Sequence, residues 1–165
     1  MFSRITILII TIFSLSINAQ TVLELGDVPP NYLGRDSNGD DVTLEDHRGK
    51  IVVISFWASW CTPCLKELPI LENIQNQIGI DKVKVIAINF KEDRKKYRKI
   101  KKLLSSLNLT LTHDKRGVIG KKFGVNAIPN LFIIGKNGEL VFHNVGYGDS
   151  SIDKIVKVLN QQLSS

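Results

Sequence analysis

The run Lys50–Trp57, KIVVISFW, ends just before Cys61, and this junction constrains the fold more than any other stretch of the chain. A short, continuous, β-branched run of this kind is the pattern of a strand buried on both faces of a parallel sheet. From about Cys61 to Ile78, the residues Leu65, Leu68, Leu71, Ile74 and Ile78 recur at spacings of three and four, which predicts a helix with one apolar face. The segment 82–90, KVKVIAINF, reads as a second buried strand. Strand, helix and strand make a βαβ unit, for which a right-handed crossover is expected. The only two cysteines of the chain, Cys61 and Cys64, therefore sit where the first strand hands over to the helix.

The rest of the sequence extends this unit. Residues 26–50 are rich in Gly, Pro, Asn and Asp, and SNGD followed by the alternating DVTL predicts an N-terminal β-hairpin. A helix is predicted over 92–107, with Tyr97, Ile100, Leu104 and Leu107 on one face, and a short one near Val118–Phe123. The stretches 130–135 and 139–146 read as strands joined by the turn Lys136-Asn137-Gly138. A last amphipathic helix over Ser151–Leu163 is expected to turn Ile152, Ile155, Val156, Leu159 and Leu163 inward. The fold class is α/β, with a mixed central sheet flanked by helices. With 165 residues, 43% of them hydrophobic, and no internal repeat or linker, the chain suits one domain with a full core.

Residues 1–19 read as a secretory signal peptide, leaving a domain over 20–165. Arg4 supplies the positive start, Ile5–Ile17 an apolar or hydroxylated stretch, and Ala19 a small residue for cleavage. That stretch is shorter than the ~20 residues a bilayer-spanning helix wants; left uncleaved, it would act as a membrane anchor. The expected location is outside the cytoplasmic membrane, in a bacterial periplasm. There, thiols tend to be oxidised unless something keeps them reduced.

Four uses of a Cys-x-x-Cys pair compete. As a structural staple it closes a very small loop and gains little from loop-closure entropy. A zinc site needs four ligands, and His47, His113 and His143 are isolated from one another and from the pair. Covalent haem attachment requires His directly after the second cysteine, where Leu65 stands. Redox chemistry remains. At a strand-to-helix junction, the unsatisfied N–H groups and positive dipole end of the helix favour a thiolate on Cys61, the expected nucleophile. Cys64, one turn on and more enclosed, is the expected resolving thiol.

The formal net charge of +6 has a local origin, because Lys91 to Lys102 holds eight basic and two acidic residues. This segment reads as a solvated helix face. Its functional alternative is attraction to an acidic partner or association with an anionic membrane surface. No aromatic stacking series accompanies the charges, so nucleic acid is not an expected partner.

The stretches FWASWCTPC, Pro69 and NAIPNLFIIGKNGEL together resemble the thioredoxin fold. The upstream DVTLEDHRGKIVVISFWASWC and the extra basic helix are similar, more narrowly, to the exported TlpA/ResA-like thiol-disulfide oxidoreductases of the redoxin family. The resemblance implies a thioredoxin-like fold with an N-terminal β-hairpin and an inserted helix. By the same resemblance, Trp60 shields the edge of the active site, and Thr62 and Pro63 tune the redox potential. Pro129 matches the family's cis-proline, facing the cysteine pair and leaving the backbone of Ile128 free to pair with an extended substrate strand. Thioredoxins proper carry a buried aspartate where this chain has Ser55. Glu67 occupies the position of an active-site glutamate in ResA-like members. Its i to i+3 spacing places it beside Cys64, where a partly buried carboxylate would accept that thiol's proton; the alternative is a solvated glutamate beside Lys66.

The reaction so implied is reduction of protein disulfides, with Cys61 attacking and Cys64 releasing the product, and with neither metal nor cofactor. Electrons would come from a membrane thiol-electron carrier of the DsbD or CcdA type, and apocytochrome c thiols would be a target. Three alternatives stand beside it. A disulfide-forming oxidase fits the Thr-Pro dipeptide less well. A peroxide-reducing enzyme would place Thr three residues before the cysteine, where Ala58 stands. A non-enzymatic redox-sensing module would show no turnover.

Overall fold

The computed structural model describes residues 23–165, and within them β3 (Ile51–Trp57) is the central strand of a five-stranded sheet. The expected signal segment, residues 1–19, lies outside the described residues. Parallel to β3 runs β4 (Val83–Phe90), and parallel to β4 runs β5 (Thr110–Asp114). On the other side, β6 (Asn130–Ile134) pairs antiparallel with β3, and β7 (Leu140–Val145) antiparallel with β6. The order is β5-β4-β3-β6-β7, a mixed sheet of the expected class. A separate two-stranded hairpin, β1 (Tyr32–Arg35) and β2 (Asp41–Thr43), precedes it. Its turn is built on Asp36, whose Oδ1 accepts the N–H groups of Asn38, Gly39 and Asp40 at 2.8, 3.0 and 3.0 Å.

Four α-helices, α1 (Thr62–Ile78), α2 (Arg94–Leu103), α3 (Val118–Lys122) and α4 (Asp149–Ser164), and one short 3-10 helix, Glu45–His47, complete the described residues. α2 is shorter than the predicted span 92–107. The Asp93 side chain caps it by accepting the Lys95 N–H at 2.7 Å, and Ser105 Oγ donates to the Lys102 carbonyl at its other end. Leu104 and Leu107 still pack inward, but from beyond the helix.

Alternation along the buried strands sends side chains to two cores. Val52, Ile54 and Phe56 of β3 join Ile86, Ile88 and Phe90 of β4 on one face, under the hairpin (Leu33, Val42) and α3 (Ile119). The other face takes Ile51 and Val53 with Leu71 of α1 and Ile155 and Leu159 of α4, then continues into a cluster of Trp57, Cys61, Cys64, Leu68 and Tyr97 of α2. Val156, expected inward, is 38% exposed. The inner stripe of α4 runs through Ile152, Ile155 and Leu159, and Val156 falls on its edge.

The hairpin docks onto β5 through one close approach. Thr112 Oγ1 donates to the Leu33 carbonyl at 2.7 Å, and a Cβ on Gly34, whose φ is +112°, would sit 2.9 Å from Thr112 Cβ. On the opposite face Gln75 ties α1 to the sheet. Its side chain is fully buried, accepts the Val85 N–H at 2.8 Å and donates to the Asn108 carbonyl at 2.6 Å.

Candidate active site

At the end of β3 the chain turns through Ala58, Ser59 and Trp60 into α1, and Cys61 is the helix N-cap. Its backbone is extended, and its Sγ accepts the N–H of Cys64 at 3.3 Å, so sulfur takes the place usually filled by an Asp or Ser oxygen. Pro63 stands in the first turn, where a missing N–H costs nothing. Cys61 and Cys64 form a disulfide with Cα atoms 5.3 Å apart. Cys61 is 5% exposed and Cys64 fully buried, so the Cys61 sulfur is the one nearer to solvent. Thr62 and Pro63 are exposed on the outer side of the first turn, and Trp60 beside them is 66% exposed.

One turn further along α1, Glu67 is buried completely, more than the partial burial expected from its spacing. It is not the solvated glutamate of the alternative reading. Glu67 Oε2 accepts a hydrogen bond from Ser55 Oγ at 2.8 Å, while Oε1 has no partner among the described residues. Burial pushes the Glu67 carboxyl up to about 7, with the Ser55 hydrogen bond pulling the other way. Ser55, on β3, thus partners the carboxyl from the strand position where thioredoxins proper carry theirs.

A second buried carboxylate lies beyond the end of β4, on Glu92. It accepts from the Ser59 N–H at 3.1 Å, from Ser59 Oγ and from Asn89 Nδ2 at 2.8 Å. Burial would raise its pKa, but hydrogen bonds from Ser59 and Asn89, with the charge of Lys96, outweigh burial and hold it below the usual carboxylate range. The Glu92 carbonyl meets His113 Nε2 at 2.9 Å, and the His113 ring stacks on Tyr97 of α2 at 4.3 Å between centroids. The loop leading into Cys61 is thereby tied to β4, β5 and α2 together.

The fourth side of the site comes from the segment before β6. The Ile128–Pro129 peptide bond is cis, Pro129 is buried, and half-buried Ile128 packs against the cluster that holds Cys61 and Cys64. No group of three or more His, Cys, Asp or Glu side chains is arranged to hold a metal ion among the described residues. His143, far from the pair in sequence, bonds Asn130 Oδ1 at 2.8 Å and stacks on Phe132.

Residues 25–143 match the model of the AhpC/TSA family, most of the chain. The chain belongs to the AhpC/TSA family. Among relatives within this family setting, the thioredoxin-like protein YneN of Bacillus subtilis is 30% identical over 126 residues, covering 75% of this chain and 73% of its own. The thiol-disulfide oxidoreductase ResA of Bacillus thuringiensis subsp. konkukian is 32% identical over 119 residues, covering 72% and 68%. A crystal structure from Chlorobium tepidum, assigned to a thiol:disulfide interchange protein DsbE, superposes with a TM-score of 0.76 at 27% identity, covering 86% of this chain and 99% of that one. With such relatives and a Cys61–Cys64 disulfide at the head of α1, this family member is a thiol-disulfide oxidoreductase of thioredoxin-like fold.

The sequence pattern singled out Cys61 and Cys64, the family resemblance added Glu67, Trp60, Thr62, Pro63, Ile128 and Pro129, and the fold gathers them around the ends of β3 and β6. It missed Ser59, Asn89 and Glu92. Asn89 carried a faint signal, as the one polar residue within the apolar run 85–90. Glu92 carried none, hidden in a segment read as a charged helix start.

Proposed function

We propose that the protein works as a disulfide reductase outside the cytoplasmic membrane. The observation that carries the division of labour is the asymmetry of the pair: Cys61 caps α1 at its surface end, while Cys64 is fully enclosed. In the reduced protein the Cys61 thiolate, favoured by the positive end of α1, attacks one sulfur of a substrate disulfide and expels the other as a thiol. Cys64 then attacks the Cys61 sulfur, closing the protein disulfide and releasing the second substrate thiol. Glu67, poised near neutrality and one turn from Cys64, takes the proton that Cys64 must lose. The unpartnered Glu67 Oε1 is the atom available for it.

Substrates are protein disulfides, with Trp60 and the Ile128 backbone as their contacts. Apocytochrome c is the substrate the resemblance suggests, and a membrane thiol-electron carrier of the DsbD or CcdA type is the matching donor. Residues 1–19 supply export, or an anchor where they are retained. A peroxide-reducing role finds no hydroxyl three residues before Cys61, because Ala58 is buried there with only a methyl group.

Redox titration against dithiothreitol and glutathione tests the direction. A potential near the thioredoxin value of about −270 mV supports a reductase, and one near about −120 mV makes the protein an oxidant. Cys64→Ser should accumulate a mixed disulfide through Cys61, and trapping through Cys64 in the Cys61→Ser variant instead would reverse the assignment.

A further inference from the structure

We propose that the cationic cleft between the N-terminal hairpin and α2 docks an acidic segment of the protein disulfides with which this chain reacts. This rests on attack by Cys61 and concerns which partners reach that sulfur.

Of the ten residues of α2, RKKYRKIKKL, seven are Lys or Arg. Of the two acidic residues before it, only Glu92 acts on a cation of α2, Lys96, and neither faces the cleft. Glu92 is buried under Ser59, and the Asp93 carboxylate caps the helix. Among the described residues the ion pairs are Arg35–Asp41 and Arg48–Glu45, so no cation of α2 is ion-paired. Arg94, Arg98 and Lys101 follow one another at spacings of four and three and share one face of the helix, with Tyr97 between them. That face and the hairpin turn beginning at Arg35 wall a cavity of about 550 Å³, with His113 and one carboxylate, Asp36, on its lining against the cations Arg35, Arg94, Arg98 and Lys101.

The placement is locally unfavourable. Arg94, Lys95 and Lys96 crowd the first turn, where the helix dipole disfavours cations, and like charges three and four residues apart repel. A local conflict of this kind, only partly offset by the attraction of Lys96 to Glu92, the Asp93 cap and the Tyr97 ring under Lys101, points to function at the surface that carries it.

The cleft is also contiguous with the redox loop. Asp93, the N-cap of α2, directly follows Glu92, whose carboxylate holds Ser59 two residues before Cys61. A chain whose disulfide reaches Cys61 past the exposed Trp60 would lay its flanking residues toward the start of α2. An anionic membrane is the competing target for such charges. Interfacial helices bind by inserting an apolar face, but Tyr97 and Ile100 of α2 are turned into the core, leaving one exposed leucine, Leu103, at the far end. A concave cleft suits a chain segment better than a flat surface.

The test uses the reduced protein and three disulfides. One is bis(2-hydroxyethyl) disulfide, which is neutral. The others are cyclic peptides of equal length with the same Cys–Cys bridge, flanked by Glu in one and by Lys in the other. In each reaction the Cys61 and Cys64 thiols become a disulfide and the substrate disulfide becomes two thiols. At low ionic strength the Glu peptide should react ~10-fold faster than the Lys peptide or more. The ratio should fall toward one near 1 M salt, where the screening length is about 3 Å. Combining Arg94→Glu, Arg98→Glu and Lys101→Glu should invert the ratio, and because the two rates are compared within one protein, any general loss of activity cancels. Equal rates for the two peptides, or a preference that the triple variant leaves in place, overturns the docking surface while the neutral disulfide still reacts. Equal rates joined to sedimentation with phosphatidylglycerol vesicles, lost in the triple variant, reassign the patch to a membrane. Failure to reduce even the neutral disulfide overturns the attack by Cys61, and the docking proposal with it.

Discussion

Glu92 accepts hydrogen bonds from both the backbone N–H and the Oγ of Ser59, so a buried carboxylate beyond β4 holds the loop that leads into Cys61. Replacing it by Gln removes the negative charge that strengthens the bonds from Ser59 and Asn89, and leaves one acceptor oxygen where the carboxylate offers two. Glu92→Gln should cost about 1–3 kcal/mol of stability, read as a lower urea midpoint with an unchanged slope. Removing the buried anion should also shift Cys61 alkylation to lower pH, because a nearby negative charge disfavours a thiolate. Ser59→Ala keeps the charge and one of the two bonds, so it should lower the midpoint less and leave the thiol titration in place. Equal thiol titrations in Glu92→Gln and the parent protein would confine Glu92 to holding the loop.

The buried Glu67 carboxyl makes the stability of the oxidised protein depend on pH. Its pKa rises from 4.5 to about 7 on folding, so between these values the folded state holds a proton that the unfolded state has lost. Stability is therefore fully present below about 4.5 and declines as pH rises through about 7, by about 3 kcal/mol at 1.36 kcal/mol per pKa unit. The difference in unfolding free energy between the parent and Glu67→Gln, measured from pH 4 to pH 8.5, should follow this curve. A flat difference would mean that Glu67 ionises at an ordinary pH despite its burial.

In the reduced protein the same substitution should act on the second half of the reaction. Glu67→Gln should leave the alkylation rate of Cys61 close to that of the parent and lower disulfide-reductase turnover ~10- to 100-fold, the loss expected when general-base help is removed. Both thiol titrations belong in the measurement, because a carboxyl and a thiol one helical turn apart can titrate as a coupled pair. Unchanged turnover would return the proton transfer to water.

Gln75→Ala should destabilise the fold by about 2 kcal/mol, since it strands the Val85 N–H and the Asn108 carbonyl inside the protein. Gln75→Glu keeps the acceptor but loses the donor, and should cost at least as much by burying a carboxyl. Chemical denaturation of the oxidised proteins ranks the two variants, and a Gln75→Ala midpoint equal to the parent's would show that water replaces both bonds.

How much of this was legible in the sequence follows the range of the interaction involved. β3 and β4 announce themselves as continuous apolar runs and α1 by its three- and four-residue period, while Glu67 was marked by the family resemblance and set beside Cys64 by helical spacing. β5 carries little signal of its own, because it is five residues long and Leu111 is the one apolar residue within it. Glu92 was out of reach for a geometric reason. Lys91 adopts a left-handed φ of 50° and turns the chain after β4, so the next side chain points inward to Ser59, and no local pattern in a run of charges signals such a turn. Val156 failed by one position on a helix whose apolar stripe is narrower than its apolar composition.

The antiparallel register that sets Phe56 opposite Asn130 has a consequence for the order of events during folding. Cys61 and Cys64 become a cap and a core residue as soon as α1 forms on β3, a local step. Ile128 and Pro129 reach them only when β6 closes onto β3, a pairing of high sequence separation that pays loop-closure entropy before any contact repays it. A chain that has made its first βαβ unit but not yet added β6 therefore carries the capped Cys61 thiol without the segment proposed to receive substrate. Competence in disulfide exchange thus waits on a long-range contact, so a half-folded molecule is poorly equipped to bind other proteins' cysteines.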